Sequence, residues 1–253
     1  MSELLLVDLG NSRLKWALAS GGRLGGSHAR EWRNTDFKDL LDTCWGGLEK
    51  PDAVVASVVT ATQLKEQLLA WVEACWGVPV HFPAVAETGC GITCGYHDPG
   101  QLGVDRWMAM VAAHVRYPQG SLVVDCGTAA TLDALAGSRH LGGYILPGIA
   151  AMRGLVVKQT AIEVPLGVVE EEEWGRSTLA CIQLGTVKVL VSLVEHSLER
   201  LQAAGVCDPV LVVTGGQAGF ILPFIQVDYR RHEDLVLEGV MRCAEEFILG
   251  FNS

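Results

Sequence analysis

The chain reads as an α/β protein of two similar lobes with a ligand cleft between them. Three observations predict this. With 253 residues, 49% apolar and 19% charged, it has material for two buried cores and lacks the composition of a disordered segment. A stretch near the N-terminus is repeated about half the chain later. After each copy the hydrophobic pattern alternates between helical and strand periods, the signature of layered α/β structure.

Residues 7–26, VDLGNSRLKWALASGGRLGG, lie without a gap above residues 124–143, VDCGTAATLDALAGSRHLGG. Val7, Asp8, Gly10, Ala17, Leu18, Ala19, Leu24, Gly25 and Gly26 meet the same residue types at Val124, Asp125, Gly127, Ala134, Leu135, Ala136, Leu141, Gly142 and Gly143. Solenoid repeats have periods of roughly 20–50 residues, so two copies this far apart indicate a duplicated domain. In each copy an apolar run (4–7 or 122–124) predicts a buried strand that delivers an Asp to its end. Gly10 or Gly127 then permits a tight turn into a second strand, and Gly21-Gly22 or Gly137-Ser138 turns the chain into a third.

Helices are predicted over 35–45, 60–76 and 103–116, with strands over 53–58 and 78–82 between them. The second half predicts helices over 148–158, 176–204, 217–222 and 234–249, with strands over 210–214 and 226–228. The turn-rich Tyr117-Pro118-Gln119-Gly120 divides the chain into lobes of 1–117 and 118–253.

The net charge of −10 argues against a nucleic-acid partner, because phosphate backbones are held by clustered Lys and Arg. It leaves anionic small molecules open, since helix N-termini and a few placed cations can hold a phosphate. No basic region precedes the first apolar run, so no signal peptide is expected. The apolar runs break short of the ~18 residues a membrane span needs, and a cytoplasmic protein without a membrane partner is expected. Eight scattered cysteines predict reduced, mostly buried thiols. Cys90, Cys94 and His97 are close in sequence, but a zinc site would want a CxxC pair and a second cluster.

An Asp ending a buried strand is costly without a partner or a metal, which singles out Asp8 and Asp125. Beside backbone N–H groups, such a carboxylate suits a phosphate and its magnesium ion. Thr214-Gly215-Gly216 after a strand lets backbone approach a flat ligand closely. Asp105 stands just inside a helix start, where the dipole favours its anion, and Arg106 beside it offers a planar fork. In isolation Asp105 and Arg106 read as a helix-end charge pair, Lys15 as an exposed strand residue, and Tyr96 and Thr178 as packing residues. The seven tryptophans read as core or interface packing, and acidic residues 170–173 as a solvated loop.

Taken together, these strings resemble the type III pantothenate kinases. Asp8-Leu9-Gly10-Asn11-Ser12-Arg13-Leu14-Lys15 is similar to the family's first phosphate signature, with Ser12 where many members have Thr. Gly103-Val104-Asp105-Arg106 matches its Gly-x-Asp-Arg element, and Asp125-Cys126-Gly127-Thr128-Ala129 its second Asp-x-Gly element. Gly142-Gly143-Tyr144-Ile145-Leu146-Pro147-Gly148, Thr160-Ala161, Thr178 and the Thr214-Gly215-Gly216 turn extend the match over nearly the whole chain. The resemblance implies a duplicated actin-like (ribonuclease H-like) ATPase fold and ATP-dependent phosphorylation of pantothenate. It makes Asp105 the base for the primary hydroxyl of pantothenate, with Tyr96, Gly103, Val104, Arg106 and Thr178 contacting that substrate. Residues 8–15 and Thr128 would meet ATP, Asp8 would hold magnesium directly or through water, and Asp125 a potassium or ammonium ion. A homodimer is implied too, with each acceptor site completed near the subunit interface, in the region of residues 142–148.

Two other readings stay open at this point. One is a kinase or phosphatase of the same superfamily acting on a sugar or polyphosphate, although sugar kinases typically carry longer chains. The other is a regulatory accessory protein, for which retention of Asp8, Lys15, Asp105 and Asp125 together would have no reason.

Overall fold

The computed structural model describes residues 2–59, 62–159, 167 and 173–249. Thr160-Ala161 and residues 170–172 lie outside them. The chain forms two compact units: residues 1–91, 96–112 and 234–253 make the first, residues 92–95 and 113–233 the second.

In the first unit β1 (Glu3–Leu9) is the central strand. It pairs antiparallel with β2 (Arg13–Ser20) and parallel with β5 (Ala53–Val58). Strands flanked on both sides and covered on both faces must be apolar throughout, and Leu5, Leu6, Val7, Val54 and Val55 are fully buried. Beyond β2 the expected third strand is split into β3 (Arg23–Leu24) and β4 (His28–Glu31), both paired with β2. β6 (Val80–His81) joins β5 on the other edge. Helix α1 (Phe37–Trp45) starts where Asp36 accepts a hydrogen bond from the N–H of Asp39 at 3.1 Å. It and α2 (Thr62–Cys75) cover one core, in which Trp45 meets Trp16 and Trp71 edge-on and stacks on Trp76. The tryptophans among the core residues are packing elements, as expected. β7 (Thr88–Gly89) ends the first stretch of this unit.

The second unit begins with β8 (Ile92–Thr93). Helix α3 (Val104–Arg116) spans the change of units at 112 and 113. The second sheet is built on β9 (Gly120–Cys126), paired antiparallel with β10 (Ala129–Ala136) and parallel with β12 (Val210–Thr214). β11 (Arg139–Pro147) continues from β10 toward β8, and β13 (Tyr229–Arg231) pairs with β12. α4 (Ile149–Gln159) and the long α5 (Thr178–Ala203) cover it. Leu184, Val187, Leu190, Val191 and Val194 of α5 enter a core with Leu122, Val124 and Leu132. α5 is the one described helix long and apolar enough to cross a membrane by length and composition. The expectation of interrupted runs overlooked it because Gly185 and Lys188 lie inside the helix.

Four differences from the sequence reading have physical causes. α6 (Leu235–Leu249), expected with the second lobe, packs on β1, β2 and β5 of the first unit. The change of units therefore comes a few residues before Tyr117, and the chain returns to its first unit at Asp234. Residues 217–222 form two short 3-10 turns (Ala218–Phe220, Leu222–Phe224), since Pro223 prevents a continuous α-helix. Cys90 and Cys243 form a disulfide, so the expectation of reduced thiols fails for this pair and Cys90 cannot be a zinc ligand. Of the remaining cysteines only Cys126 is buried, and Cys75, Cys181 and Cys207 are exposed.

The fourth difference concerns the duplication. In the first hairpin Leu9 faces Leu14 across residues 10–13, whereas in the second Cys126 faces Ala130 across 127–129. The second turn is one residue shorter, so the gap-free match holds for β1 and β9 and slips by one in the next strand. The burial patterns confirm the slip: β2 and β10 read alike when each is counted from its own first residue. Ala17 therefore corresponds to Asp133, a buried residue whose Oδ1 lies 3.1 Å from Nε2 of buried His140.

Candidate functional site

In the first unit Asp8 is the penultimate residue of β1, half-buried, with Lys15 across one side and Ser57 across the other. Lys15 Nζ lies 2.6 Å from Oδ1 of Asp234, the residue that precedes α6. The two side chains are 24% and 26% exposed, enough shielding to keep the pair ordered and enough water to keep it weak. Between the strands the Gly10 N–H donates to the Arg13 carbonyl at 3.0 Å. Leu9 and Leu14 are fully buried and clamp the turn from below, while Asn11 and Arg13 are exposed. Ser12 lies half-buried between them.

Three donors approach this turn from one side. Trp32 Nε1 donates to the Gly10 carbonyl at 2.9 Å, Arg33 Nε to the Asn11 carbonyl at 3.1 Å, and the Trp32 N–H to the Ser12 carbonyl at 3.2 Å.

The same unit carries Tyr96 and the Gly103–Arg106 element. Gly103 precedes α3 and its carbonyl accepts from the Trp107 N–H at 3.1 Å, so Val104 and Asp105 occupy the first turn as expected. Asp105 is half-buried, and its Oδ1 accepts from the Arg106 N–H at 2.8 Å. Arg106, only 6% exposed, donates through NH1 to the Tyr96 hydroxyl at 2.8 Å, its guanidinium carbon 5.6 Å from the ring centroid. The structure thus brings Tyr96, Asp105 and Arg106 together, with an acid, a cation and a phenol at one helix start.

In the second unit Asp125 is penultimate in β9, with Thr131 on one side and Thr214 of β12 on the other. The Thr214-Gly215-Gly216 turn therefore leaves its strand beside Asp125. Gly215 has φ +92°, and a Cβ there would come 2.6 Å from the Cys126 nitrogen, so only glycine fits. Gln217 follows and donates its N–H to the Cys126 carbonyl at 2.8 Å and its Nε2 to the Gly127 carbonyl at 2.8 Å. The Gly148 N–H donates to the carbonyl of exposed Thr128 at 3.0 Å. Burial, with the Asp125 charge second, pushes the Cys126 thiol up to about 12, leaving it neutral at physiological pH. Thr178 opens α5 after the cap residue Ser177 and is exposed. Among the described residues no hydrogen bond ties its side chain to the second hairpin.

Asp8 and Asp125 each set a half-buried carboxylate at the end of a central strand, beside a turn whose carbonyls are held elsewhere. Oxygen donors of this kind suit a magnesium or a monovalent cation. Trp32, Arg33, Asp234 and Gln217 were not singled out from sequence. Gln217 had a signal, since it directly follows the Gly-Gly turn. The others lie far from their partners along the chain.

A family profile described as type III pantothenate kinase matches residues 4–200. The chain is 35% identical over 250 residues to a type III pantothenate kinase of Nitrosococcus oceani, covering 96% of this chain and 94% of that one. It is 36% identical over 249 residues to one of Alkalilimnicola ehrlichii, covering 97% and 99%. Among solved structures, a Campylobacter jejuni protein described as a Baf family transcriptional activator aligns with TM-score 0.66 and 21% identity, covering 97% and 99%. MreB5 of Spiroplasma citri bound to AMPPNP aligns with TM-score 0.54 and 13% identity, covering 100% and 98%. These likenesses establish the actin-like ATPase fold for this chain.

Proposed function

Because this chain belongs to the type III pantothenate kinase family, we propose that it transfers the γ-phosphoryl group of ATP to pantothenate. The product is 4′-phosphopantothenate, and the reaction is the first step of coenzyme A biosynthesis. The observation that carries the reading is the repeated hairpin: in each unit an Asp ends the central strand beside a turn with braced carbonyls.

Phosphoryl transfer needs positioning and charge neutralisation more than covalent help from the protein. Asp105 takes the proton of the primary hydroxyl as its oxygen bonds the γ-phosphorus and the bond to the β–γ bridging oxygen breaks, releasing ADP. Its place at the start of α3 favours the anion it must be before that step. Arg106 and Tyr96 hold the pantothenate carboxylate and amide, and Gly103 and Val104 shape the approach to them. Thr178 supplies a hydroxyl to the same substrate. The backbone of residues 9–14, Lys15 and Thr128 meet the nucleotide phosphates, and the Thr214-Gly215-Gly216 turn meets the adenosine. Asp8 would hold magnesium, which supplies charge neutralisation at the phosphates, and Asp125 would hold potassium or ammonium.

The homodimer is part of the same proposal. Ile145 is 62% exposed and Tyr144 44% exposed on β11, and Leu155 is 51% exposed on α4. Large apolar side chains left exposed on this unit suit a contact with a second copy. Cytoplasmic location follows from the proposed pathway, where ATP and pantothenate meet. A formed Cys90–Cys243 bond pulls against it, since cytosolic thiols are held reduced.

The deciding experiment is phosphate transfer from ATP to pantothenate with magnesium, in buffers with and without potassium or ammonium. Product formation supports the kinase, and dependence on the monovalent cation supports the role of Asp125. Absence of product in every buffer overturns the reading.

A further inference from the structure

A trans peptide is planar, so the carbonyl of one residue and the N–H of the next point in opposite directions. Whatever holds the carbonyl therefore aims the N–H. In the first hairpin the carbonyls of Gly10, Asn11 and Ser12 are all held by Trp32 and Arg33. The N–H groups of Asn11, Ser12 and Arg13 are thereby turned to the opposite side. Without these bonds the peptide planes around Gly10 would be the freest in the turn, since glycine has no Cβ to restrict them.

The supporting segment is itself ordered. The Thr35 N–H returns to the Trp32 carbonyl at 3.2 Å, and Asn34 takes φ 63°, the pattern of a type II turn with Arg33 at its corner. The Trp32 ring packs against the first core, which fixes where Nε1 points.

The second hairpin repeats the arrangement with unrelated donors. Successive carbonyls of Cys126, Gly127 and Thr128 are held by the Gln217 N–H, by Gln217 Nε2 and by the Gly148 N–H. The Gln217 amide has one possible orientation, because its Oε1 accepts from the Ala150 N–H at 2.9 Å while its Nε2 donates to Gly127. The Thr128 N–H is turned away from Gln217 and the Ala129 N–H away from Gly148 as a result, while the Gly127 N–H is taken up by the Ala129 carbonyl at 3.1 Å.

We infer that Trp32, Arg33 and Gln217 are positioning residues that aim the hairpin N–H groups at the nucleotide phosphates. This rests on the kinase reading above. The three side chains need not touch the nucleotide. They act through the peptide planes they hold, and their loss is felt by phosphate and not by the nucleoside.

Trp32→Phe keeps an aromatic ring in the core and removes only the Nε1 donor. Arg33→Lys keeps the charge, removes the Nε donor, and changes an exposed residue that cannot cost the fold. Calorimetry would measure binding of a non-hydrolysable ATP analogue with magnesium, and of adenosine, to the wild-type protein and to both variants. Each variant should bind the analogue roughly fivefold to tenfold more weakly, the usual value of one hydrogen bond, with adenosine binding unchanged. KM for ATP should rise while KM for pantothenate stays at the wild-type value. Gln217→Glu places a carboxylate oxygen against the Gly127 carbonyl and should weaken the analogue further. Wild-type analogue affinity in both Trp32→Phe and Arg33→Lys overturns the inference and leaves the kinase reading standing, as does an equal loss for analogue and adenosine. A wild-type protein that binds neither compound overturns both.

Discussion

Gly148 leads from β11 into α4 and lies against the second hairpin. A Cβ built on it would overlap the Gly127 carbonyl oxygen and come 2.7 Å from that of Thr128. Those atoms are backbone, held in turn by Gln217 and by Gly148 itself, so no flexible side chain can yield. Gly148→Ala must therefore push the two chains apart by about half an ångström or more, the scale of overpacking that costs roughly 1–3 kcal/mol. The 3.0 Å bond from the Gly148 N–H to Thr128 would lengthen past hydrogen-bond distance, adding about 1 kcal/mol. The sum, about 2–4 kcal/mol, lowers the melting temperature by roughly 4–16 °C for a chain of this size. Turnover should fall as well, because the displaced turn carries Thr128. Gly154→Ala is the control: it lies within α4, has no atom within 4 Å of the new Cβ, and should stabilise by about 0.5–1 kcal/mol. Thermal melts of both variants decide the matter. A Gly148→Ala protein that melts with the wild type refutes the reasoning about this contact.

Asp105→Asn should keep the fold and nucleotide binding while reducing kcat by roughly two to four orders of magnitude, read by steady-state kinetics; near-normal turnover removes Asp105 from the role of base. Brief alkylation at pH 8, followed by mass spectrometry, should modify Cys75, Cys181 and Cys207 and spare Cys126, whose thiol is buried and pushed up to about 12. Non-reducing digestion should recover Cys90 and Cys243 in one linked peptide. Their separation of 153 residues makes the link worth up to about 5 kcal/mol in the chain-entropy account, so reduction should lower the melting temperature by up to roughly 10–20 °C. The Asp42 carboxylate is held below its ordinary value by the hydrogen bond from Lys38 and then by that from Trp71. A depressed carboxylate contributes stability above its unfolded value of 3.8, and loses it as pH falls through the folded value. Asp42→Asn should therefore flatten the acid limb of the stability curve below pH 4, which urea titrations across that range will show.

Much of this fold is legible because its signals are local. Asp8 and Asp125, the apolar runs before them and the glycines after them lie within a few residues of one another, and the strand–turn pattern follows from their order. Helices α1, α3, α4 and α5 begin within two residues of their expected starts, since capping residues and periodicity are also local. What escaped the sequence depends on distance. The return of α6 to the first sheet, the Cys90–Cys243 link and the pairing of Lys15 with Asp234 join residues separated by most of the chain. The one-residue slip between the hairpins is hidden for another reason. Alanines and leucines on both sides of the slip keep the letters matched when the strand positions are not.

The two hairpins show what duplication preserves. Both leave a carboxylate at the end of the central strand, and both have three successive carbonyls held by donors from outside the hairpin. The donors differ. In the first unit they come from a tryptophan and an arginine at the end of β4, in the second from a glutamine after β12 and a glycine after β11. Chemistry at the turn constrains only where its N–H groups point, and any donor that holds the carbonyls satisfies that constraint. The Asp-x-Gly string is therefore the visible half of each site. The half that aims it must be found by asking, for each turn, where its carbonyls go.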